Sequence, residues 1–273
     1  MITSLNRAAF VLLSALATGC ATSPTGRQQF MLISPEQAIS SSAEAYVQTL
    51  APLEKQGKVD SNAVTSERVR TITGRIVTEA VAKFPNTRDW AWSVKVIDDP
   101  ETVNAWCMAG GKMAVYTGLL EKVKPTDDEL AQVMGHEIAH ALANHTAEKM
   151  SVALASSAAV AGVAIAASDS RYAGAALAGA SLAAALAIKL PNSRTAETEA
   201  DEIGIELAAR AGYDPRSAVT LWEKMGKVGG KRVPEFVSTH PAPENRQERL
   251  GKLAPKMMPF YQERKPHPIH PLE

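Results

Sequence analysis

Apolar residues recur along this chain with two periods, and the switches between them outline its elements. From Ser66 to Lys83 the spacing of Val69, Ile72, Ile76, Val77 and Ala80 follows the repeat of a helix with one buried face. From Trp90 to Val96 the period falls to two, which puts Trp90, Trp92, Val94 and Val96 on one side of a strand. Gly110-Gly111 marks a turn, and Lys112 to Thr117 reads as the strand that follows it. Two helix starts carry capping chemistry. Ser34-Pro35-Glu36-Gln37 offers a cap, a proline suited to the first turn and a glutamine that completes a capping box. Thr126-Asp127-Asp128-Glu129 offers a second box with three acids at the positive end of the helix, which is expected to run past Met150. Asp214-Pro215 opens a further helix to about Met225, and Glu244 to Leu253 a last short one. The pattern predicts an α+β fold, mostly helical, with a small antiparallel sheet.

The ends of the chain read differently from its middle. Residues 1–19 resemble a bacterial export signal, with Arg7 before an apolar run from Ala8 to Leu16 that is too short to span a bilayer. Leu16-Ala17-Thr18-Gly19-Cys20 resembles a lipobox, whose cysteine receives a lipid after cleavage. Ala21 stands where an inner-membrane retention signal has Asp, so the expected place is the outer membrane, lipid-anchored through Cys20 on the periplasmic face, with a soluble periplasmic protein as the alternative. Residues 20–33 then form a lipidated tether, 34–254 the domain, and 255–273 a Pro-rich tail that does not pack. Within the domain, 17 of the 40 residues from 151 to 190 are Ala, a composition that favours closely packed helices over a membrane span and predicts a helical hairpin. Cys107 is left without a partner, and a lone thiol of this kind is buried and inert.

Charge narrows the function. Lys plus Arg and Asp plus Glu each number 29, and a net charge of zero argues against a nucleic-acid partner, which needs an excess of cations. The chemistry gathers instead at His136-Glu137-Ile138-Ala139-His140. On a helix, His136 and His140 lie one turn apart on one face and can ligate one Zn²⁺, while Glu137 stands beside the metal as a proton acceptor. The surrounding Leu130, Val133, Met134 and Ile138 are apolar, and two histidines and a glutamate buried among them without a partner would be costly. His145, nine residues from His136, would point to the opposite face of a straight helix. A third ligand is available from Ser193 to Asp201, where Glu197 and Asp201 are four apart; spacing alone leaves Glu197 and Glu199 as alternatives.

His136 to His140, the later Ser193-Arg194 to Asp201 element and the pair His240-Pro241 together resemble the HtpX-like and CAAX-prenyl-protease-like zinc metallopeptidases. The stretch from Val103-Asn104-Ala105 to Gly118 is similar to the strand region that precedes their motif, and among them the chain resembles the Oma-like and LoiP-like single-domain periplasmic lipoprotein proteases. The resemblance spans about Ser34 to Leu253. It implies a zincin-like metallopeptidase fold and one Zn²⁺ held by His136, His140 and Glu197. It implies Asp201 as the hydrogen-bonding support of a ligand histidine, and His240 and Arg246 near the cleft.

The implied activity is hydrolysis of peptide bonds in misfolded cell-envelope proteins, with Glu137 as the base that activates water. His240 either stabilises the oxyanion, reaches the metal and holds the enzyme latent, or only caps a helix. The strand from Lys112 to Thr117 is expected to bind extended substrate by edge pairing. The rival reading is a latent or non-proteolytic zinc-binding, chaperone-like lipoprotein of the envelope. His267 and His270 are expected to take no part.

Overall fold

Two helices cross with their backbones almost touching, and this crossing sets the architecture. In the computed structural model, which describes residues 20–155, 192–228, 235–241 and 245–273, these are α3 (Asp127–Leu142) and α5 (Arg194–Arg210). Gly135 and Gly204 meet at the crossing, where a Cβ on Gly135 would stand 2.6 Å from the Gly204 carbonyl oxygen. Only glycine at both positions allows this approach, and it carries the carboxylates of α5 to the histidines of α3. Residues 1–19, expected to be an export signal, and most of the Ala-rich stretch expected to form a helical hairpin lie outside the described residues.

Both expected capping boxes form. Thr126 Oγ1 accepts from the Glu129 N–H while Glu129 accepts from the Thr126 N–H, and Ser34 and Gln37 do the same at α1 (Pro35–Lys55). The helix expected from Ser66 is α2 (Ala63–Lys83), and all five residues of its apolar face are buried.

The main sheet joins β3 (Ser93–Ile97), β4 (Ala105–Met108) and β5 (Lys112–Tyr116) in the order β3-β5-β4. It is mixed rather than wholly antiparallel: β4 pairs antiparallel with β5 through the Gly110-Gly111 turn, while β3 runs parallel to β5. One face packs Val94, Val96 and Val115 against Ile76 of α2 and Met134 and Ile138 of α3. The other packs Ile97, Trp106 and Ala114 against Ala38, Tyr46 and Leu50 of α1. Burying a side chain such as Ile138 fully contributes about 1.5–3 kcal/mol, so the helix bearing the motif is anchored by its neighbours. Because β5 is the central strand, it cannot take substrate by edge pairing as expected; β4 is the strand at that side of the sheet.

Three segments depart from the sequence expectation. The helix from Thr126 does not continue past Met150 but stops at Leu142 and restarts as α4 (residues 145–155), because Asn144 takes a left-handed conformation (φ 55) that asparagine tolerates better than most residues. The expected tether is folded as far as Phe30: β1 (Cys20–Thr22) and β2 (Gln28–Phe30) form an antiparallel hairpin, with Ser23 and Gln29 buried and the Gln29 amide donating to the Ala143 carbonyl. The tail is packed as well. The helices after Asp214 are α6 (Ser217–Val228), α7 (Glu235–Thr239) and α8 (Arg246–Gln262). In α8, Pro255 and Pro259 sit one turn apart on the exposed face, where carbonyls that lose an N–H partner still meet water. Beyond it the chain crosses α2 and β3, with the His270 N–H bonded to the Gly74 carbonyl and the Glu273 N–H to that of Trp92.

Candidate metal centre

His136, Glu137 and His140 lie on α3 and are 5%, 2% and 4% exposed, buried too deeply to be a chance motif on a solvated face. Glu197 comes from the first turn of α5, after the Ser193 cap, and Asp201 from the next turn. His240 follows α7 and Arg246 begins α8. These seven side chains, drawn from α3, α5, α8 and the residue after α7, meet in one buried cluster.

His136, His140, Glu197 and His240 each present one ligand atom, and the four atoms lie within 4.8 Å of one another. His140 Nε2 is 3.0 Å from His136 Nε2, and Glu197 is 3.2 Å from His136 and 3.4 Å from His140. His240 Nδ1 stands 3.1 Å from Glu197 Oε1. Asn192, which the sequence did not single out, directs its amide at His140 Nε2 and His240 Nδ1 from 3.4 and 3.3 Å. Spacing left Glu197 and Glu199 open; Glu197 is in the cluster, and Glu199 faces His145 instead.

The electrostatics favour positive charge where the donors converge. Burial opposes charge on His136, yet Glu197 and Asp201 outweigh it and lift the imidazole to about 9. Glu197 is held far below the ordinary carboxylate range, its burial outweighed by His136 and His240. Burial drives His140 well below its usual value, so this ring offers a lone pair. Among the described residues Glu197 Oε2 and Glu137 Oε1 have no hydrogen-bond partner and meet only ion-pair contacts of 3.2–3.4 Å, from His136 and Arg246 and from His240, so these buried oxygens retain capacity for a cation. Three imidazoles and a carboxylate suit zinc, whose ligands are nitrogen, sulfur and carboxylate oxygen.

Around the donors, Asp201 Oδ1 lies 3.1 Å from His136 Nδ1 and accepts from Arg246 Nη2 at 2.6 Å. The Arg246 guanidinium also stacks 3.5 Å over Trp222, a contact with no sequence signal. His145 is not among the four donors, but it does not point away: the break at Asn144 folds it back so that its Nδ1 is 2.7 Å from His140 Nδ1. An asparagine seven residues after the motif glutamate is the one sequence feature that signals such a turn. Cys107 is buried and free, its thiol pushed up by burial, and with Trp106 and Met108 of β4 it lines the cavity that holds Glu137, His140 and Lys149. Burial lowers the Lys149 ammonium to about 8. His267 and His270 lie apart, against Gly212 and Gly74. Among the described residues no helix is long and apolar enough to cross a membrane.

Known proteins are similar to this chain at the level of sequence. The chain is 41% identical over 162 residues to the mitochondrial metalloendopeptidase OMA1 of Arabidopsis thaliana, covering 59% of this chain and 31% of that protein. It is 32% identical over 254 residues to the mitochondrial metalloendopeptidase OMA1 of Bos taurus, covering 86% and 46%. It thus spans less than half the length of either relative. The metalloprotease LoiP of Escherichia coli is 31% identical over 211 residues, covering 76% of this chain and 80% of that protein. The profile of Peptidase family M48 matches residues 63–254, which contain every donor of the cluster, and the chain belongs to that family.

Proposed function

We propose that this protein is a zinc-dependent endopeptidase that cleaves unfolded proteins of the bacterial cell envelope. One observation carries the reading: three donors from two helices converge on a point beside Glu137, whose carboxylate lines the cavity. His136, His140 and Glu197 hold the ion. When bound, zinc polarises the scissile carbonyl and makes water a stronger acid. Glu137, raised above the usual carboxylate range by burial, takes the proton of the attacking water and returns it to the leaving amine. Asp201 accepts from His136 and, clamped by Arg246, keeps that ring turned toward the cluster. Extended substrate adds to the edge of β4, whose Trp106, Cys107 and Met108 line the cavity; backbone pairing of this kind tolerates varied side chains, as clearance of unfolded proteins requires.

Lipid on Cys20 would hold the enzyme at the periplasmic face of the outer membrane; a soluble periplasmic form is the alternative. The test is casein cleavage by the full chain in detergent. Glu137→Gln should retain zinc and lose about 10²–10⁴-fold in turnover; unchanged turnover rejects Glu137 as the base.

A second reading draws on His240, which lies inside the cluster as a fourth donor, with its Nε2 3.4 Å from Glu137 Oε1. A catalytic zinc keeps one position open, whereas four protein ligands close it. In this reading the protein is latent until substrate displaces His240. His240→Ala then raises casein cleavage; if His240 instead stabilises the oxyanion, the same change lowers it.

A further inference from the structure

Among the described residues two hydrogen-bond chains leave the donor histidines of α3, and only the one through Asp201 and Arg246 has a role in the chemistry above. The second leaves from His140. Its Nε2 faces the cluster, so its Nδ1 is turned outward, 2.7 Å from Nδ1 of His145. An imidazole that ligates through Nε2 carries its proton on Nδ1. That proton is donated to His145 Nδ1, which leaves the His145 proton on Nε2. From there it is donated to Glu199 Oε2 at 3.1 Å. Each bond fixes the next, and the chain of protons has a single consistent direction.

Glu199 ends the chain as an acceptor, and its other donors come from a distant part of the sequence. Thr25 Oγ1 donates to it at 2.7 Å and Arg27 Nε at 2.9 Å. Both residues lie in the turn between β1 and β2. Arg27 also forks onto Glu148 of α4, with bonds of 2.7 and 2.6 Å. His145 and Glu199 are 2% and 3% exposed, so water does not substitute for these bonds.

We propose that Arg27, Glu199 and His145 are positioning residues for the metal: the seated N-terminal hairpin holds His140 in the tautomer and orientation that ligation needs. This inference rests on the assignment of His136, His140 and Glu197 as the zinc ligands. Metal affinity then depends on a segment more than a hundred residues from the motif. β1 begins at Cys20, the residue proposed to carry the lipid, so the seating segment and the tether are contiguous.

The experiment uses the full chain in detergent, with zinc affinity measured by competition with a chromophoric chelator and the visible spectrum of the Co²⁺-loaded protein recorded alongside. Glu199→Gln keeps the shape and removes the charge, and Arg27→Met removes the cation. Each should weaken zinc about tenfold, the low end for a partner of a ligand histidine, and shift the cobalt bands, with Arg27→Lys recovering part of the loss. Glu148→Gln keeps an acceptor oxygen within reach of Arg27 and lies off the chain of bonds, so it should disturb both readouts less than Glu199→Gln. Wild-type affinity and spectrum in Glu199→Gln would overturn the proposal, as would equal weakening by Glu148→Gln, which would mean docking alone matters. Should Arg27→Met fail to fold, Glu199→Gln decides. A wild-type chain that binds no zinc would instead overturn the ligand assignment.

Discussion

His136 and His140 occupy the same face of α3 one turn apart, yet they are supported in different ways. His136 meets its carboxylate directly: Asp201 is 3.1 Å away and Arg246 closes the far side. His140 reaches a carboxylate only through a second imidazole, and the arginine at the end of that path comes from the N-terminal hairpin. Both arms thus finish in a carboxylate–arginine pair. The first is built from the domain's own helices and is buried throughout. The second draws on a three-residue-stranded hairpin whose Arg27 is partly exposed. The difference is that one proposed ligand is held by the core, whereas the other is bonded through to a peripheral element that can be perturbed without dismantling the core.

The largest expected effect comes from breaking the direct arm. Asp201→Ala removes the nearer of the two carboxylates beside the buried Arg246, leaving only Glu197 at 3.4 Å, which costs up to about 3–5 kcal/mol and should weaken zinc about 10–100-fold. Thermal melting and chelator competition check the two parts. A smaller effect is expected at the crossing that brings this arm to α3. Gly204→Ala places a Cβ 2.7 Å from the His136 backbone nitrogen, and separating the helices should cost about 1–3 kcal/mol with a parallel loss of zinc. A Gly204→Ala protein as stable as wild type would contradict the account of the crossing.

The hairpin arm sharpens the comparison through pH. Burial raises Glu148 and Glu199, but the hydrogen bonds of Arg27 and Gln29 on Glu148, and of His145, Ser23, Thr25 and Arg27 on Glu199, outweigh it and leave both below their usual 4.5. A depressed carboxylate contributes stability that is present above 4.5 and is lost as pH falls through the folded value. Protection of residues 20–30 from hydrogen exchange should therefore hold down to about pH 4.5 and fail only below it, while α3 and α5 stay protected. Loss of hairpin protection near neutral pH would contradict the pairing with Arg27. The smallest effect is expected at Asn144, where a left-handed alanine costs about 1–2 kcal/mol. Asn144→Gly, which keeps the turn, should preserve stability and zinc affinity where Asn144→Ala lowers both.

What the sequence could show follows the same division. The direct arm is legible in part because regular helices carry it: the capping box at Thr126 sets the register of α3 and puts His136 and His140 one turn apart, while the choice of Glu197 over Glu199 and the role of Asp201 come from the family resemblance. His240 and Arg246 entered through a family pattern rather than through spacing, and they reach the same cluster. The second arm was not legible. A straight helix through residue 150 turns His145 outward, and only the left-handed Asn144 reverses that. Arg27 and Glu199 are 172 apart in the chain, and nothing local joins them. The hairpin has three-residue strands, too short for an alternating pattern to emerge. The tail was read from its prolines, although an exposed helix face accepts them. The direction of β3 relative to β5 depends on the crossover between them, which no periodicity encodes.

The most direct test of the central claim is zinc content by equilibrium dialysis, measured together with casein cleavage for the wild-type chain, Glu137→Gln and Glu197→Gln. The account predicts one zinc per chain in the wild type and in Glu137→Gln, weakened zinc in Glu197→Gln, and cleavage in the wild type alone. A wild-type chain without zinc, or cleavage that survives Glu137→Gln, would contradict it.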